Sequence, residues 1–327
     1  MSPVRPESSQ DAAPIGAPQS TVSRVGAVVV IGLALAGAAW LLTELTGFEY
    51  GLDQGIYGAV ADVMHAGGVP YRDAWDFKPP GVFFAYSLAR SLFGEGMAAI
   101  RIFEALGFAS LVLAFAIFSR RFTGSAGPGL LGGALAVSGH VWLGFWHTAQ
   151  PESFGAVLLA WALVLATAPA GPGSSRAALP RELAWAGAGA LYMLAALLKP
   201  PLGGGLVVSW LFVLRAVRRE ASPEQRALAW LRPSLAFAAG AAAPLLLVIL
   251  GTVALERGSL GNSIAIGFVT LAVFGLALSA PLAILIVWPW AAGQVDRLFR
   301  MAARTRMVTG SILLLLGLWS IYFGLRA

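Results

Sequence analysis

Charged side chains that could take part in chemistry are concentrated in one short stretch of an otherwise apolar chain. Residues 51–81, GLDQGIYGAVADVMHAGGVPYRDAWDFKPPG, hold Asp53, Asp76 and Lys78 among tight Gly-Gly and Pro-Pro turns. Asp53 follows an apolar run, where a carboxylate is costly unless it is paired or used, although an N-cap is the simpler role for it. Lys78 precedes two prolines that stiffen the backbone. Its ammonium therefore suits either a local ion pair with Asp76 or a lipid phosphate.

Further charged residues lie near the ends of later apolar runs. Glu152 in WHTAQPESFG follows a proline, Lys199 lies in LLKPPLGGG, and Arg101 begins another apolar run. Each has an ordinary explanation, because a carboxylate favours a helix N-terminus and long basic side chains reach toward the membrane interface. His147 in the same polar segment as Glu152 is more typical of a hydrogen-bonded interfacial residue than of a ligand. With 3 His, none at metal-ligand spacing, and 0 Cys, neither a zinc site nor a thiol nucleophile is expected.

The composition of the whole chain indicates an all-α, polytopic membrane protein. Of its 327 residues, 58% are hydrophobic and only 12% are charged, and the mean hydropathy is +0.76. Ordinary soluble domains carry about twice that charged fraction. The net charge of +6 would suggest nucleic acid on a soluble protein. Because the basic residues occupy short gaps between apolar runs, they are expected to set membrane topology instead.

The apolar runs predict about nine membrane-spanning helices. They cover residues 25–46, 102–119, 127–146, 153–169, 184–198, 202–217, 234–255, 263–291 and 307–325. The run 263–291 is long enough to be two short helices. One span is favoured because two would place the arginines of 297–306 outside, against the positive-inside rule. That rule puts the N-terminus in the cytoplasm.

The first outer loop, 47–100, is expected to carry two amphipathic helices on the membrane surface, at 54–66 and 81–94. Tyr57 falls on the apolar face of the first. If 81–94 spanned the membrane instead, every later loop would reverse and the basic cluster 215–232 would be exposed outside. The predicted organisation is a disordered cytoplasmic tail at 1–23, a membrane module with its outer loop at 24–217, and C-terminal transmembrane helices at 218–327.

This topology brings the candidate residues to one membrane face, although it is chosen without them. They are Asp53, Lys78, Arg101, Glu152 and Lys199. The sequence contains no phosphate-binding loop of the GxxxxGK[ST] type, no HExxH and no GxSxG, so it gives no support for ATP-driven transport, zinc proteolysis or serine hydrolase chemistry.

The pattern through residues 25–205 resembles the membrane glycosyltransferases of the GT-C superfamily, and within it glycosyltransferase family 39. The resemblance is carried by LDQGIYGAVADVMHAGGVPYRDAWDFKPPGVFFAYSLARSLFG after a first span, and by Arg101 at the start of the next. Asp53 matches the family's first outer-loop acid, with Gln54 in place of the Glu that usually follows, and Lys78 matches the Lys of the family's KPP. Glu152 matches more loosely an acid of the second outer loop, where relatives commonly have Asp.

The resemblance implies an enzyme of the bacterial inner (plasma) membrane that transfers a sugar from a polyprenyl-phosphate donor on the outer face. The acceptor would be a glycan, lipid or protein, with membrane lipids and no nucleic acid as partners, and the need for a divalent cation is left open. Asp53 would take the acceptor's proton, and Lys78 would stabilise the leaving phosphate, in a single displacement that inverts the anomeric centre. Arg101 and Lys199 would contact the phosphate or hold the loop, while Glu152, Asp76, Tyr57 and His147 would position substrate.

Two other functions compete with this interpretation. The short C-terminal half and Gln54 fit a noncatalytic relative, either a lipid-sugar binder or a partner subunit. A transporter or flippase is less favoured, because such proteins carry their polar sites near the bilayer midplane and these charges lie at an edge.

Overall fold

The computed structural model describes residues 21–168, 180–222, 224 and 229–255. The predicted spans 263–291 and 307–325 lie outside that part of the chain, as do the arginines of 297–306 and most of the predicted C-terminal region. Of the predicted tail, 1–23, only residues 21–23 are described, and they already belong to the first helix.

The described residues form helices joined by turns and include no strand, so the all-α prediction is confirmed for them. The helices are α1 (Thr21–Thr46), α2 (Leu52–His65), α3 (Pro80–Phe93), α4 (Met97–Thr123), α5 (Gly127–Trp142), α6 (Pro151–Ala166), α7 (Arg181–Leu198), a short 3-10 helix (Pro200–Gly204), α8 (Gly205–Glu220) and α9 (Leu231–Leu255). Each of the seven apolar runs predicted up to residue 255 overlaps a helix, and α2 and α3 coincide closely with the two predicted amphipathic helices.

The helix ends follow from local sequence. Proline occupies the first turn of α3, α5 and α6, where its missing N–H has no helical partner to lose. Gln150 and Ser153 form a reciprocal capping box at the start of α6. Gly124 ends α4 in the left-handed conformation, with φ of 74°. These signals explain why the boundaries lie close to those read from the sequence.

In the part of the chain that the structure describes, four helices are long and apolar enough to cross a membrane. They cover Val25–Thr46, Met97–Thr123, Pro200–Glu220 and Leu231–Leu250, while the apolar helix Pro151–Ala166 is shorter. Large apolar side chains such as Leu33 and Leu247 are about 70% exposed on these helices. A surface of this kind indicates a membrane protein, since water would not support it.

The last turns of α4, α6 and α8 lie together with the first turn of α7 at one end of the bundle. At this end, Arg121 of α4 approaches Thr167 after α6, and Arg181 of α7 pairs with Glu220 of α8. We call this the arginine end, because Arg120, Arg121, Arg181, Arg218 and Arg219 all lie there. The opposite loop end holds the segments 47–51, 66–79, 94–96, 143–150 and 199–204.

Helices α2 and α3 close the loop end. α3 packs against α2, α4 and α7 through a buried face that includes Val82, Phe83 and Tyr86. Its opposite face exposes Phe84 and Leu88. One face is thus used inside the protein and the other is free to meet an apolar environment, as an amphipathic helix at a membrane surface requires.

Candidate functional site

Asp53 and Lys78 form an ion pair at the loop end. The Lys78 Nζ lies 3.5 Å from the Asp53 Oδ2, and both side chains are partly exposed. The N-cap of α2 is Gly51, so Asp53 lies in the first turn rather than capping the helix. Lys78 stands just before the two prolines that begin α3. From the sequence, Asp76 is an alternative ion-pair partner for Lys78. In the structure Lys78 pairs with Asp53 instead, and the Asp76 Oδ1 accepts from the Phe77 N–H at 2.7 Å.

Tyr57 lies one helical turn after Asp53 and touches both members of this pair. Its hydroxyl is 3.4 Å from the Asp53 Oδ2 and 3.4 Å from the Gln150 Oε1, and the Lys78 Nζ lies 5.8 Å from the centre of its ring. Burial foremost, and then the nearby Asp53 carboxylate, raise the pKa of Tyr57 above its usual value. The hydroxyl therefore stays protonated and can donate to only one of its two neighbours at a time.

Glu152 and Lys199 form a second ion pair beside the first, with both side chains about half exposed. Glu152 lies in the first turn of α6, and Lys199 follows α7 directly. Burial opposes ionisation of Glu152, but Lys199, and after it Lys78, help to hold the pKa of Glu152 below its usual value. Glu152 in turn makes a small contribution to the raised pKa of Tyr57. The two pairs therefore belong to one electrostatic cluster rather than to two separate surface contacts.

Close packing at Gly81 explains why the segments that carry Lys78 and Lys199 meet at the loop end. Each lysine opens a Lys-Pro-Pro sequence, at 78–80 and 199–201. Gly81 follows the first of these, and a Cβ atom on it would lie 2.6 Å from the Leu197 carbonyl oxygen. Only glycine permits this approach of the start of α3 to the end of α7. The contact therefore brings the two Lys-Pro-Pro segments, and with them Lys78 and Lys199, to the same part of the loop end.

Asp76 lies in the same loop but is largely buried. Its Oδ2 is buried and has no hydrogen-bond partner among the described residues. After burial, which is the larger cause, the Asp76 carboxylate raises the pKa of Tyr71. The Tyr71 hydroxyl donates to the Lys78 carbonyl at 2.7 Å, so Tyr71 helps to fix the backbone of the segment that carries Lys78.

The structure thus brings six of the eight predicted site residues together. This acid–lysine cluster consists of Asp53, Tyr57, Asp76, Lys78, Glu152 and Lys199. It offers carboxylates and ammonium groups side by side at the edge of an apolar bundle. Such an arrangement can take a proton from one reactant and stabilise negative charge on another.

Arg101 does not join the cluster, contrary to its expected contact with a donor phosphate. Its side chain is fully buried and donates to the Phe48 carbonyl at 3.2 Å and to the Thr148 Oγ1 at 2.7 Å. The structure therefore gives it the alternative role of holding the loop. His147 is exposed, and the contact described for it is the bond from its backbone N–H to the Gly144 carbonyl at 3.2 Å, so nothing described connects its side chain to the cluster.

A buried network that the sequence reading missed lies behind the cluster. Glu104 is 1% exposed, lies 3.5 Å from Arg101, and accepts from the backbone N–H of Ala149. The Nε2 of His140 lies 2.9 Å from the Glu104 Oε1, and the His140 ring stacks on Phe108. We call this the Arg101–Glu104–His140 network. The sequence does contain a signal for the Arg101–Glu104 pair. Glu104 is a carboxylate inside an apolar run, where it needs a partner, and Arg101 stands three residues earlier.

The network and Gln54 together hold the loop that leads to Glu152. The Gln54 side chain is fully buried, and its Nε2 donates to the Phe145 carbonyl at 2.7 Å and to the Thr148 carbonyl at 2.8 Å. Ala149 adopts a φ of +53°, a conformation that a residue with a side chain keeps only when its surroundings impose it. The segment 145–150 is therefore fixed from both sides.

Within the described ranges, no group of three His, Cys, Asp or Glu side chains is arranged to hold a metal ion.

No protein-family model, no curated protein and no solved structure matches the chain. The described residues define an all-helical fold of membrane type. The resemblance to the GT-C superfamily rests on the sequence motifs alone.

Proposed function

We propose that the chain is a glycosyltransferase of GT-C type, which moves a sugar from a polyprenyl-phosphate donor to an acceptor hydroxyl. The observation that carries the proposal is the meeting of Asp53 and Lys78 within 3.5 Å, beside the Glu152–Lys199 pair, at one end of an apolar helix bundle. Four separate chain segments supply these residues. A polyprenyl-phosphate sugar has an apolar tail and a charged head, and it needs such an edge.

The charges at the two ends of the bundle indicate on which side of the membrane the cluster would lie. Arginines are concentrated at the arginine end, which the positive-inside rule assigns to the cytoplasm. The acid–lysine cluster then faces the outside. The full topology of about nine spans, with two of them after residue 255, belongs to this proposal.

In the proposed reaction the acceptor oxygen forms a bond to C1 of the sugar while the bond from C1 to the donor phosphate breaks. The acceptor's proton passes to the Asp53 carboxylate. The bonding electrons leave with the phosphate oxygen, whose growing charge the Lys78 ammonium stabilises. Attack opposite the leaving group inverts the configuration at C1.

The resting ion pair is compatible with these roles. Lys78 has Asp53 as its partner in the structure, at a distance longer than a tight hydrogen bond. A donor phosphate competes with Asp53 for the ammonium, and its arrival leaves the carboxylate free to accept a proton. Lys199 supplies a second cation next to Glu152. Tyr57 is fully buried, so its part in the reaction would be to orient the Asp53 carboxylate rather than to touch substrate.

Transfer of labelled sugar from polyprenyl phosphate, measured with the protein reconstituted in vesicles, tests the proposal. Asp53→Asn should lower the rate by roughly 10²–10⁴-fold, because it removes the base. Lys78→Ala should lower it by roughly 10²–10³-fold, because the leaving phosphate loses its fixed cation. The matched control is Glu95→Gln, an exposed acid in the turn between α3 and α4 at the same end, which should leave the rate unchanged.

The outcomes separate the competing functions. Equal rates in wild type and both cluster variants would remove the assigned roles of Asp53 and Lys78. Donor binding without any transfer by the wild-type protein would instead favour a noncatalytic lipid-sugar binder. In that case Lys78→Ala should still weaken donor binding, whereas Asp53→Asn should not.

A further inference from the structure

A cavity of about 470 Å³ opens at the arginine end, far from the acid–lysine cluster along the bundle. It lies where the ends of α4, α6, α7 and α8 meet. Its walls are formed by Arg121, Phe122, Ala166, Thr167, Ala168, Arg181, Phe212, Val213, Ala216 and Glu220. The proposed glycosyltransferase reaction uses none of these residues.

The polar side of the cavity is cationic. The Arg181 guanidinium donates to both oxygens of Glu220, at 2.8 and 3.3 Å, while its Nε is buried without a hydrogen-bond partner among the described residues. Arg121 donates through one nitrogen to the Val164 carbonyl and lies 3.4 Å from the Thr167 Oγ1. The lining therefore contains two guanidinium groups and one carboxylate, a net positive charge that favours a bound anion.

The other side of the cavity is apolar and continues into the bundle. The Phe122 and Phe212 rings lie 6.4 Å apart, and Val213 and Ala216 extend the wall along α8. α4 and α8 are both candidate membrane spans, and the arginines lie in their last turns or beside them. The cavity is therefore cationic at the level of lipid headgroups and apolar at the level of acyl chains.

We propose that this cavity binds an anionic glycerophospholipid. Its phosphate would contact the guanidinium groups of Arg121 and Arg181, since planar guanidinium matches phosphate geometry. One acyl chain would lie against Phe122 and Phe212. Basic pockets between spans on the cytoplasmic side have the charge and depth to select such lipids over zwitterionic ones. The proposal does not depend on the transferase function.

Lipid titration of the purified full-length protein in detergent tests the site. The probes are phosphatidylglycerol, phosphatidylcholine with the same acyl chains, and inorganic phosphate, and the readouts are lipid retained in native mass spectrometry and the midpoint of thermal unfolding. We expect phosphatidylglycerol to be retained and to stabilise the protein, and the other two probes to have little effect. Arg121→Gln and Arg181→Gln should each weaken retention about fivefold, which corresponds to about 1 kcal/mol per basic residue.

Two control variants keep the test decisive. Arg218→Gln removes the same charge from an exposed position at the same end, outside the cavity, and should leave retention unchanged. Ala216→Leu keeps every charge but fills the apolar wall, so it should weaken retention even if Arg181→Gln fails to fold. An equal loss with Arg218→Gln would overturn the proposal in favour of diffuse attraction. Equal retention of the two phospholipids, or stabilisation by inorganic phosphate alone, would also overturn it.

Discussion

Two groups of charged side chains lie near each other at the loop end, and they are held in opposite ways. In the Arg101–Glu104 pair both side chains are 0% exposed. In the Lys78–Asp53 pair the exposed fractions are 26% and 43%, and in the Lys199–Glu152 pair they are 49% and 51%. The first group is sealed inside the bundle, whereas the second remains open to its surroundings.

The bonding partners differ as well. Arg101 and Glu104 are fixed by backbone carbonyl and N–H groups of the loop end, so their charges are committed to the scaffold. Asp53 and Lys78 are linked chiefly to each other, with Tyr57 beside them. Charges committed to the scaffold hold the loop end in place, whereas the partly exposed charges of the cluster remain accessible to other partners.

The largest effect that this comparison predicts is on folding. Arg101→Met should lower the free energy of unfolding by about 3–5 kcal/mol, because it leaves Glu104 as a buried charge whose remaining partners are His140 and the Ala149 N–H. The measurement is denaturant or thermal unfolding of the purified protein in detergent.

The matched control is Lys78→Met in the cluster. Since its partner Asp53 is 43% exposed, solvent can replace the lost cation, and the loss of stability should stay below about 1 kcal/mol. If both substitutions destabilised the protein equally, the distinction between scaffold charges and cluster charges would be wrong.

Much of the fold could be predicted from the sequence, because hydropathy and helix signals are local. The run 102–119 lies within α4, and the amphipathic pattern of 81–94 became α3 within one residue at each end. The meeting of Lys78 with Lys199 could not be derived this way. It depends on contact between Gly81 and the end of α7, a tertiary approach between residues more than a hundred positions apart.

Residue type predicted candidate charges but not their environment. Arg101 and Lys199 both stand at ends of apolar runs, and the same role is expected for both from their positions in the sequence. The structure buries one and leaves the other about half exposed. The difference arises from Glu104, which lies within the apolar run and draws Arg101 inward, and from Pro200, which ends α7 and leaves Lys199 at the surface.

A smaller effect tests the boundary between the two groups. Gln54→Glu places a second carboxylate directly after Asp53. The Gln54 Nε2 donates to the Phe145 and Thr148 carbonyls, and a carboxylate placed there would face acceptors without a proton to share. We expect the free energy of unfolding at neutral pH to fall by about 1–3 kcal/mol, as measured by thermal unfolding in detergent.

Gln150→Glu provides the control for this substitution. It also loses an amide hydrogen bond, from the Gln150 Nε2 to the Trp146 carbonyl at 3.2 Å, but that bond is exposed to solvent. In addition, the Gln150 Oε1 lies near the Tyr57 hydroxyl, which can donate to a carboxylate. Its effect on stability should therefore be clearly smaller. A Gln54→Glu protein as stable as wild type would show that the 145–150 loop is not held by this amide.

The smallest effect concerns the Glu152–Lys199 pair, the more exposed of the two pairs in the cluster. A double-mutant cycle with Glu152→Gln and Lys199→Met should give a coupling of about 0.2–1 kcal/mol in the free energy of unfolding, because both side chains are about half exposed and solvent screens them. The coupling should shrink further as salt is raised from 0.01 M to roughly 1 M, where the Debye length falls to about 3 Å. Unfolding of the four proteins at both salt concentrations measures it. A coupling above about 2 kcal/mol that salt did not change would place this pair with the scaffold charges, and would leave Asp53–Lys78 as the only pair of the cluster that solvent screens.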